Sequence, residues 1–191
     1  MVRAHLIVTR SPLGRLRFMS GTDGPYVLVG GWPGSGKTTL ARALAPTLGL
    51  AYLGKDDLKE SLWEQLGTPT SVEDSRRLGE AAVRILLRMA RDCPGAVIDS
   101  TWYAYTRPLV AQLPGPVVEV RCLVSIETAR ARYAARRRGA GHLDDQRTEA
   151  ELWGRHVAPL GVGRLVEVDT EGPVEVEAIA ARIAIDKDPL P

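Results

Sequence analysis

The sequence predicts an α/β protein of three layers, in which helices cover both faces of a parallel five-stranded sheet. Short apolar runs, bounded by glycine, proline or polar residues, alternate with longer amphipathic stretches along most of the chain. The runs contain few polar residues, as is typical of strands buried on both faces. Strands that alternate with helices pair in parallel through right-handed crossovers, which gives the layered arrangement.

Each strand is predicted from an apolar run, and each helix from a period near 3.6 residues together with a start or stop signal. The strands are expected at 26–30, 51–55, 96–101, 117–124 and 164–169. The helices are expected at 37–48, 57–66, from 70 to the stop at 94, and at 105–113, 126–138, 148–157 and 174–185.

Two pairs of residues have the spacing of helix caps. Asp57 with Glu60 and Thr70 with Glu73 each place a capping side chain three residues before a glutamate. In the helix after Thr70, a period of three to four residues predicts the buried face. Its members are Leu78, Ala82, Ile85, Leu86 and Met89.

The first 25 residues differ from the rest of the chain. They hold two short apolar pieces around Ser11-Pro-Leu-Gly14, and Asp23-Gly-Pro25 then breaks the chain. We expect an N-terminal extension at 1–25, compatible with a small hairpin, ahead of one domain at 26–191.

Length and composition are those of a globular protein. The chain has 191 residues, of which 45% are hydrophobic and 25% charged. The net charge of +2 argues against a broad nucleic-acid-binding surface. Cys93 and Cys122 stand far apart, which disfavours a metal or disulfide framework. No apolar run has the length of a membrane span, so we expect a cytoplasmic protein without a membrane partner.

The segment Gly31-Trp-Pro-Gly-Ser-Gly-Lys-Thr38 matches the pattern GxxxxGK[ST], between a predicted strand and a predicted helix. In such loops backbone N–H groups cradle phosphate oxygens, the lysine reaches the β- and γ-phosphates, and the next hydroxyl binds Mg²⁺. The sequence therefore predicts binding of ATP and Mg²⁺, with Lys37 as a catalytic cation and Thr38 as a metal ligand. The expected nucleotide contacts are Gly31, Trp32, Pro33, Gly34, Ser35, Gly36, Lys37, Thr38 and Thr39.

The surroundings of this loop favour phosphoryl transfer to a bound acceptor. A switch GTPase needs an NKxD-type segment, and the chain has none. Remodelling ATPases usually end an apolar strand in adjacent Asp-Glu, whereas here Asp99 is followed by Ser100. A water-activating glutamate is therefore missing from that place.

Asp56 and Asp57 follow the second predicted strand. Asp57 has the spacing of a helix cap, which leaves Asp56 at the strand end, on the side of the phosphate loop if the sheet is parallel. A carboxylate there can take the proton of an acceptor hydroxyl during attack on the γ-phosphate. The spacing alone allows equally that both aspartates are caps.

The segments GWPGSGKTTLAR, YLGKDDLKESL and VIDST, followed by a basic helix, resemble the P-loop kinases related to the zeta toxins, the kinase domain of polynucleotide kinase and the chloramphenicol phosphotransferases. The resemblance covers 26–169. It implies a P-loop NTPase fold with a helical lid, at about 126–157, and a general base at Asp56. It also implies that Lys59 contacts substrate, although a lysine here lacks the arginine fork expected for a nucleic-acid end.

Asp99 resembles the aspartate that holds Mg²⁺ in this group, either directly or through water. A cap for the next helix is the alternative. The chain continues with Ser-Thr-Trp, which leaves open whether Asp99, Ser100 or Thr101 faces the acceptor. Thr101 and Trp102 are candidate acceptor contacts, although an aromatic cluster at this place is also compatible with packing.

The basic helix carries Arg132 and Arg136 at the spacing of one helix face. In the resembling kinases an Arg-xxx-Arg helix closes over ATP, which gives both arginines a catalytic role towards the transferred phosphoryl group. A solvated helix face is the alternative. His142 follows a Gly-Ala-Gly hinge and is a candidate substrate contact, and Thr170 is expected beside the adenine.

The sequence therefore predicts an ATP-dependent kinase that phosphorylates a hydroxyl of a small molecule. A polynucleotide 5′-hydroxyl kinase is one alternative. An ATP-hydrolysing regulatory or toxin module is another, and an ATP binder without activity is a fourth reading. The acceptor and the oligomeric state do not follow from the sequence.

Overall fold

The computed structural model describes residues 8–10, 16–18, 24–136, 139–154 and 157–184. Strands β1 (Val8–Arg10) and β2 (Leu16–Phe18) form an antiparallel pair in the N-terminal extension, which is compatible with a small hairpin. The other five strands form one parallel sheet in the order β4-β5-β3-β6-β7. They are β3 (Tyr26–Gly30), β4 (Ala51–Gly54), β5 (Ala96–Asp99), β6 (Val117–Leu123) and β7 (Arg164–Asp169).

Seven α-helices connect or flank these strands in the described part of the chain. They are α1 (Lys37–Leu48), α2 (Lys55–Leu66), α3 (Val72–Ala90), α4 (Arg107–Val110), α5 (Ile126–Ala135), α6 (Glu149–Leu152) and α7 (Val176–Ala184). Short 3₁₀ turns occur at Ala104–Thr106, Ala140–His142 and Asp144–Gln146. None of the described helices is long and apolar enough to cross a membrane.

The central strands β3 and β5 are buried on both faces, as their apolar runs predicted, whereas the edge strands β4 and β7 are partly exposed. Alternate residues of β3 point to opposite sides, so that Val27 and Val29 join a core with α1 and α7, whereas Tyr26 and Leu28 join a core with α3 and α4. The predicted three-layer α/β/α fold with a parallel five-stranded sheet is confirmed.

The order of the strands brings the loops after β3, β4 and β5 to the same edge of the sheet. Strand β3 lies between β5 and β6, and all five strands run in the same direction. The chain leaves β3 towards one edge and later returns to its other side, which makes the carboxyl end of β3 a topological switch point. The loops that follow β3, β4 and β5 therefore open at the same edge.

Helix α3 begins one residue later than predicted, and its buried face is rotated. Ser71, not Thr70, is the N-cap and accepts a hydrogen bond of 3.1 Å from the backbone N–H of Asp74. Ile85 and Met89 are 39% and 52% exposed. Helix α3 carries apolar residues along two neighbouring stripes. The way the helix packs against the sheet decides which stripe is buried, and here it is the stripe next to the predicted one. Its buried apolar members are Ala82, Val83, Leu86, Leu87 and Ala90.

Two further predictions of local structure were wrong. Helix α2 already begins at Lys55, and Asp57 bonds the guanidinium of Arg42 at 2.8 and 2.9 Å instead of capping the helix. Helix α5 ends at Ala135, since Arg136 has an extended backbone with φ −84° and ψ 146°.

The predicted helices at 105–113 and 148–157 are shorter in the structure. The first is the 3₁₀ turn at Ala104–Thr106 followed by α4, and the second is the single turn of α6. The predicted ends at 137–138 and 185 lie outside the described residues.

A buried carboxylate on β6 fixes the loop that leads into β7. Glu119 accepts hydrogen bonds from the backbone N–H groups of Leu160, Val162 and Gly163, the last two at 2.8 and 3.3 Å. A charged acceptor satisfies three donors that would otherwise be buried without partners, which fixes the loop against the sheet.

We expect Glu119→Gln to lower the free energy of unfolding by about 1–3 kcal/mol, because the amide has one oxygen acceptor and turns a donor towards the same N–H groups. Urea denaturation followed by circular dichroism measures this. Glu64→Gln, a change at an exposed position on α2, should stay within about 0.5 kcal/mol of the wild type. Equal stabilities of the two variants would contradict the assignment.

Candidate active site

The phosphate loop joins β3 to α1 in a conformation that requires glycine. Gly34 and Gly36 have φ of 77° and 82°, in the left-handed region that other residues rarely adopt. Within the loop the N–H of Ser35 donates to the carbonyl of Trp32 at 3.1 Å. Helix α1 starts at Lys37, so its unpaired N–H groups and its positive dipole end face the loop. Such a loop can hold the phosphates of a nucleotide.

Two neighbouring segments hold the loop in place. A Cβ at Gly34 would lie 2.2 Å from the carbonyl oxygen of Ala129 on α5, so the helix rests directly on the loop. On the other side the hydroxyl of Thr170, which follows β7, lies 2.8 Å from the carbonyl oxygens of both Ser35 and Leu123. Thr170 therefore contacts the loop through its side chain, at the strand end expected to border the adenine.

Lys37, Thr38 and Asp99 meet beside the loop. The Lys37 ammonium donates to the Trp32 carbonyl at 3.2 Å. Burial raises the pKa of Asp99, while the charge of Lys37 and the hydroxyl of Thr38 pull it down. Burial also raises the pKa of Tyr52, so its phenol is protonated and donates to Asp99 Oδ2 at 3.3 Å.

Asp56 lies at the edge of this cluster, in the first turn of α2. It forms an ion pair with Lys55 and remains partly exposed. Its charge contributes to the raised pKa of Asp99, so the two carboxylates are close enough to interact. Asp57, the next residue, faces Arg42 instead. The two adjacent aspartates thus have separate surroundings.

The residues predicted to hold Mg²⁺ fit that ion. Magnesium prefers hard oxygen ligands and is usually held by one or two carboxylates or hydroxyls besides the phosphates. Asp99 Oδ1 is buried and has no hydrogen-bond partner within the described residues. Together with the hydroxyl of Thr38, this oxygen is suited to hold a metal ion at the phosphate loop.

A cavity of about 180 Å³ lies between the phosphate loop, at Pro33, and the start of α2, at Lys55. Its wall includes Lys59, Thr101 and His142, three of the four residues predicted to contact an acceptor. The remaining lining residues are Pro33, Lys55, Ser75, Arg76, Gly79, Glu80, Val83, Ser100, Tyr103, Tyr105, Tyr133, Asp144, Arg147, Glu151 and Leu152.

Trp102, the fourth residue predicted to contact the acceptor, belongs to the core instead. Its indole is buried and donates to the carbonyl of Val29 at 3.1 Å, and it packs against Gly30. Three tyrosines reach the cavity, namely Tyr103, Tyr105 and Tyr133, and the rings of the first two stack with centroids 6.3 Å apart.

Two of the cavity residues that the sequence analysis missed, Ser75 on α3 and Arg147, are bonded to each other. The Ser75 hydroxyl accepts hydrogen bonds from Lys59 Nζ at 2.6 Å and from Arg147 Nη2 at 3.2 Å, and donates to the Gly141 carbonyl at 2.9 Å. The only sequence signal was a serine on the otherwise apolar buried side of α3. Nothing local connects it with Arg147.

His142 is buried, not solvated as a loop histidine usually is. Its Nε2 lies 2.7 Å from Glu60 Oε1, and its ring meets Trp63 edge-to-face with centroids 4.8 Å apart. A Cβ at Gly141 would lie 2.5 Å from Trp63, so this glycine of the expected hinge is packed against α2.

The two predicted lid arginines do not share a helix face, because α5 ends between them. Arg132 donates to the backbone carbonyls of Thr170 and Glu171 at 2.8 and 2.7 Å. Arg136 lies over the ring of Tyr133, 4.7 Å from its centroid. Arg132 is therefore tied to the loop after β7.

An aromatic cluster joins the phosphate loop to the segment that follows α5. Trp153 meets Trp32 edge-to-face with centroids 6.4 Å apart, and Tyr133 with centroids 5.8 Å apart. Arg130 also lies over the ring of Trp153. Trp32 thus contacts the predicted lid through its side chain.

The profile of one protein family, described as an AAA domain and named AAA_33, matches residues 27–154. The chain belongs to this family. The matched part includes the phosphate loop, Asp56, Asp99 and all the residues that line the cavity.

Curated relatives of this AAA_33 chain occur in mycobacteria. It is 31% identical over 163 residues to an uncharacterized protein of Mycobacterium tuberculosis (strain ATCC 25618 / H37Rv), and equally to one of Mycobacterium bovis. The alignment covers 78% of this chain and 32% of each relative. The chain thus spans about a third of the length of these relatives.

Solved structures with this fold include several kinases. A candidate kinase from Chloroflexus aurantiacus is 27% identical, with a TM-score of 0.70 over 85% of this chain and 97% of the other. A gluconokinase from Sinorhizobium meliloti is 20% identical, with a TM-score of 0.56 over 86% and 91% of the two chains. The APS kinase CysC of Mycobacterium tuberculosis is 19% identical, with a TM-score of 0.58 over 85% and 96%. The fold is that of P-loop kinases.

Gly34→Ala tests whether the loop is held against α5. We expect at least about tenfold weaker binding of Mg-AMPPNP by calorimetry, and a lower Tm, because the new methyl group meets the Ala129 carbonyl and φ is strained. Gly172→Ala is the matched control, since nothing lies within 4 Å of its Cβ position. Similar affinities in both variants would argue against a rigid contact between loop and helix.

Proposed function

We propose that the protein is an ATP-dependent phosphotransferase that moves the γ-phosphate of ATP to a hydroxyl of a small molecule. We place it with the P-loop kinases related to the zeta toxins, polynucleotide kinase and the chloramphenicol phosphotransferases. The observation that carries the proposal is the polar cavity whose wall includes Pro33 of the phosphate loop and Lys55, the residue before Asp56.

The nucleotide is bound by the loop from Gly31 to Thr39. Backbone N–H groups and the start of α1 receive the phosphates, and Lys37 turns from the Trp32 carbonyl to the β- and γ-phosphates. Thr38 and Asp99 hold Mg²⁺, which neutralises charge on the phosphate oxygens. The backbone near Thr170 borders the adenine.

Asp56 acts as the general base. The acceptor enters the cavity with its hydroxyl directed at Asp56, which takes the proton as the oxygen attacks the γ-phosphorus. The new O–P bond forms as the bond to the β–γ bridging oxygen breaks, and ADP leaves with that electron pair. The ion pair with Lys55 holds the Asp56 carboxylate at the start of α2.

The lid arginines stabilise the transferred group once the nucleotide is bound. Arg136 lies over the ring of Tyr133, which lines the cavity. Arg132 has to exchange its bonds to Thr170 and Glu171 for phosphate oxygens. Nucleotide binding therefore includes a rearrangement of α5.

Proteins of the same fold support a small acceptor. One neighbour was crystallised with AMPPNP and APS, and another with shikimate. The cavity has about 180 Å³, below the roughly 300–1,000 Å³ typical of pockets for drug-sized ligands. Both observations favour a small metabolite over a nucleic-acid end.

The proposal is tested by ADP release from Mg-ATP in the presence of hydroxyl-bearing metabolites, antibiotics, nucleosides and single-stranded oligonucleotides. We expect turnover to depend on a small acceptor. Turnover with oligonucleotides alone would favour the polynucleotide kinase. Fast ATP consumption without an acceptor would favour a regulatory ATPase.

With an active acceptor, Asp56→Asn should lower kcat by about 10²–10⁴-fold, because the amide cannot take the hydroxyl proton. Calorimetry should find the affinity for Mg-AMPPNP within about threefold of the wild type, as Asp56 is assigned to the acceptor side. Asp57→Asn is the matched control, and we expect it to keep its activity. Full transfer by Asp56→Asn would remove Asp56 from the role of base.

A further inference from the structure

The two oxygens of the Asp99 carboxylate have different surroundings. Oδ2 accepts a hydrogen bond of 3.3 Å from the phenol of Tyr52, which lies on the neighbouring strand β4. Oδ1 is buried and has no hydrogen-bond partner within the described residues. The hydroxyl of Thr38, the other residue suited to hold the metal ion, lies close enough to this carboxylate to lower its pKa. The phenol thus occupies one oxygen and leaves the other to a ligand.

The register of the sheet brings the phenol to Asp99. Gly54 is the residue of β4 that pairs with Asp99 on β5, and Tyr52 stands two positions before it, on the same face of the sheet. A Cβ at Gly54 would lie only 2.5 Å from the Tyr52 hydroxyl oxygen. The absence of a side chain at Gly54 therefore leaves the space through which the phenol reaches the carboxylate.

The ring of Tyr52 is held by packing. It lies against the core that the sheet forms with α1 and α7. The guanidinium of Arg42, on α1, lies 4.6 Å from the ring centroid and is itself paired with Asp57. This ion pair is about half exposed and therefore adds little to stability, so that the core contact is the main support of the ring.

A fixed hydrogen bond to one oxygen matters for a carboxylate that binds a metal ion. The terminal torsion of an aspartate is broad and roughly two-fold, so a carboxylate without a partner samples many orientations. A phenol that carries its proton can only donate to a carboxylate, and this bond selects one orientation of Asp99. Hydrogen-bond partners of metal-binding side chains typically change metal affinity by about 10–100-fold.

Tyr52 is placed for this role and not for contact with the acceptor. Among the described residues that line the cavity of about 180 Å³, neither Tyr52 nor Asp99 is present. The printed contacts of the phenol lead to the carboxylate alone. An effect of Tyr52 on the reaction is therefore expected to act through Asp99.

We propose that Tyr52 is a positioning residue of the metal site, whose phenol holds the Asp99 carboxylate in the orientation that leaves Oδ1 to Mg²⁺. This inference rests on the part of the proposed function that assigns ATP and Mg²⁺ to the phosphate loop. It does not depend on the identity of the acceptor. Tyr52 strengthens the binding of the metal–nucleotide complex and takes no part in proton transfer.

Calorimetry of AMPPNP binding to the full chain, once with Mg²⁺ and once with EDTA, tests the proposal. The metal gain is defined as the Kd in EDTA divided by the Kd in Mg²⁺. Tyr52→Phe keeps the ring and removes only the hydroxyl. We expect it to lower the metal gain about tenfold, as is usual for partners of metal ligands, and to leave the affinity in EDTA within about threefold of the wild type.

Tyr26→Phe is the matched control. The Tyr26 phenol donates to the carbonyl of Cys93 at 2.7 Å, and Tyr26 begins β3, at the end of the strand remote from the phosphate loop. We expect this variant to have a lower Tm and an unchanged metal gain, because it loses a structural hydrogen bond away from the metal site. The same metal gain in both variants would show that the Tyr52 phenol is merely structural.

A double-mutant cycle shows whether Tyr52 acts through Asp99. In the Asp99→Ala background, Tyr52→Phe should not lower the metal gain further, since the carboxylate that it positions is missing. A full metal gain in Tyr52→Phe, or the same loss with and without Asp99, would overturn the inference and leave the proposed function intact. A wild type that binds no AMPPNP in Mg²⁺ would refute the proposed function, and the inference with it.

Discussion

The site depends on a buried carboxylate that faces a lysine across the edge of a parallel sheet. Burying a charged aspartate is costly, and the raised pKa of Asp99 reflects that cost. The charge of Lys37 and the hydroxyl of Thr38 offset it, and all three are brought together because β3 and β5 are neighbours that end at the same edge. The strand order also brings Asp56, which follows β4, close to Asp99, which ends the neighbouring strand β5. A different order would separate the proposed base from the proposed metal ligand.

Packing against three neighbouring segments holds the phosphate loop in its conformation. Gly34 rests on α5, Thr170 holds the Ser35 carbonyl, and Trp32 packs on Trp153. Arg132, on the same helix as Ala129, bonds the backbone after β7. In the mechanism that we propose, Arg132 exchanges this contact for phosphate oxygens, which would couple nucleotide binding to closure over the acceptor.

The sequence predicted the sheet, the phosphate loop and the neighbourhood of Asp56 and Asp99, because apolar runs, a glycine motif and strand ends are local signals. The sequence did not predict the surroundings of side chains whose contacts lie far away along the chain. Trp102 was predicted to line a pocket, but its indole bonds the carbonyl of Val29 on β3. The Ser75 hydroxyl bonds the carbonyl of Gly141, 66 residues away. The regular spacing of the arginines predicts a helix as far as residue 138, whereas α5 ends before Arg136, whose guanidinium stacks on the ring of Tyr133. Roles that follow from contacts across the fold could not be derived from spacing.

Transfer of the terminal phosphate to an organic alcohol is the central claim, and following that phosphate tests it directly. ATP labelled with heavy oxygen on the γ-phosphate is incubated with the protein, Mg²⁺ and a small-molecule extract, and mass spectrometry locates the label. Our account predicts a labelled phosphate ester on a small organic compound, formed by the wild type and lost when Lys37 is replaced by alanine. Label that appears solely in inorganic phosphate, at the same rate with and without the extract, would contradict it.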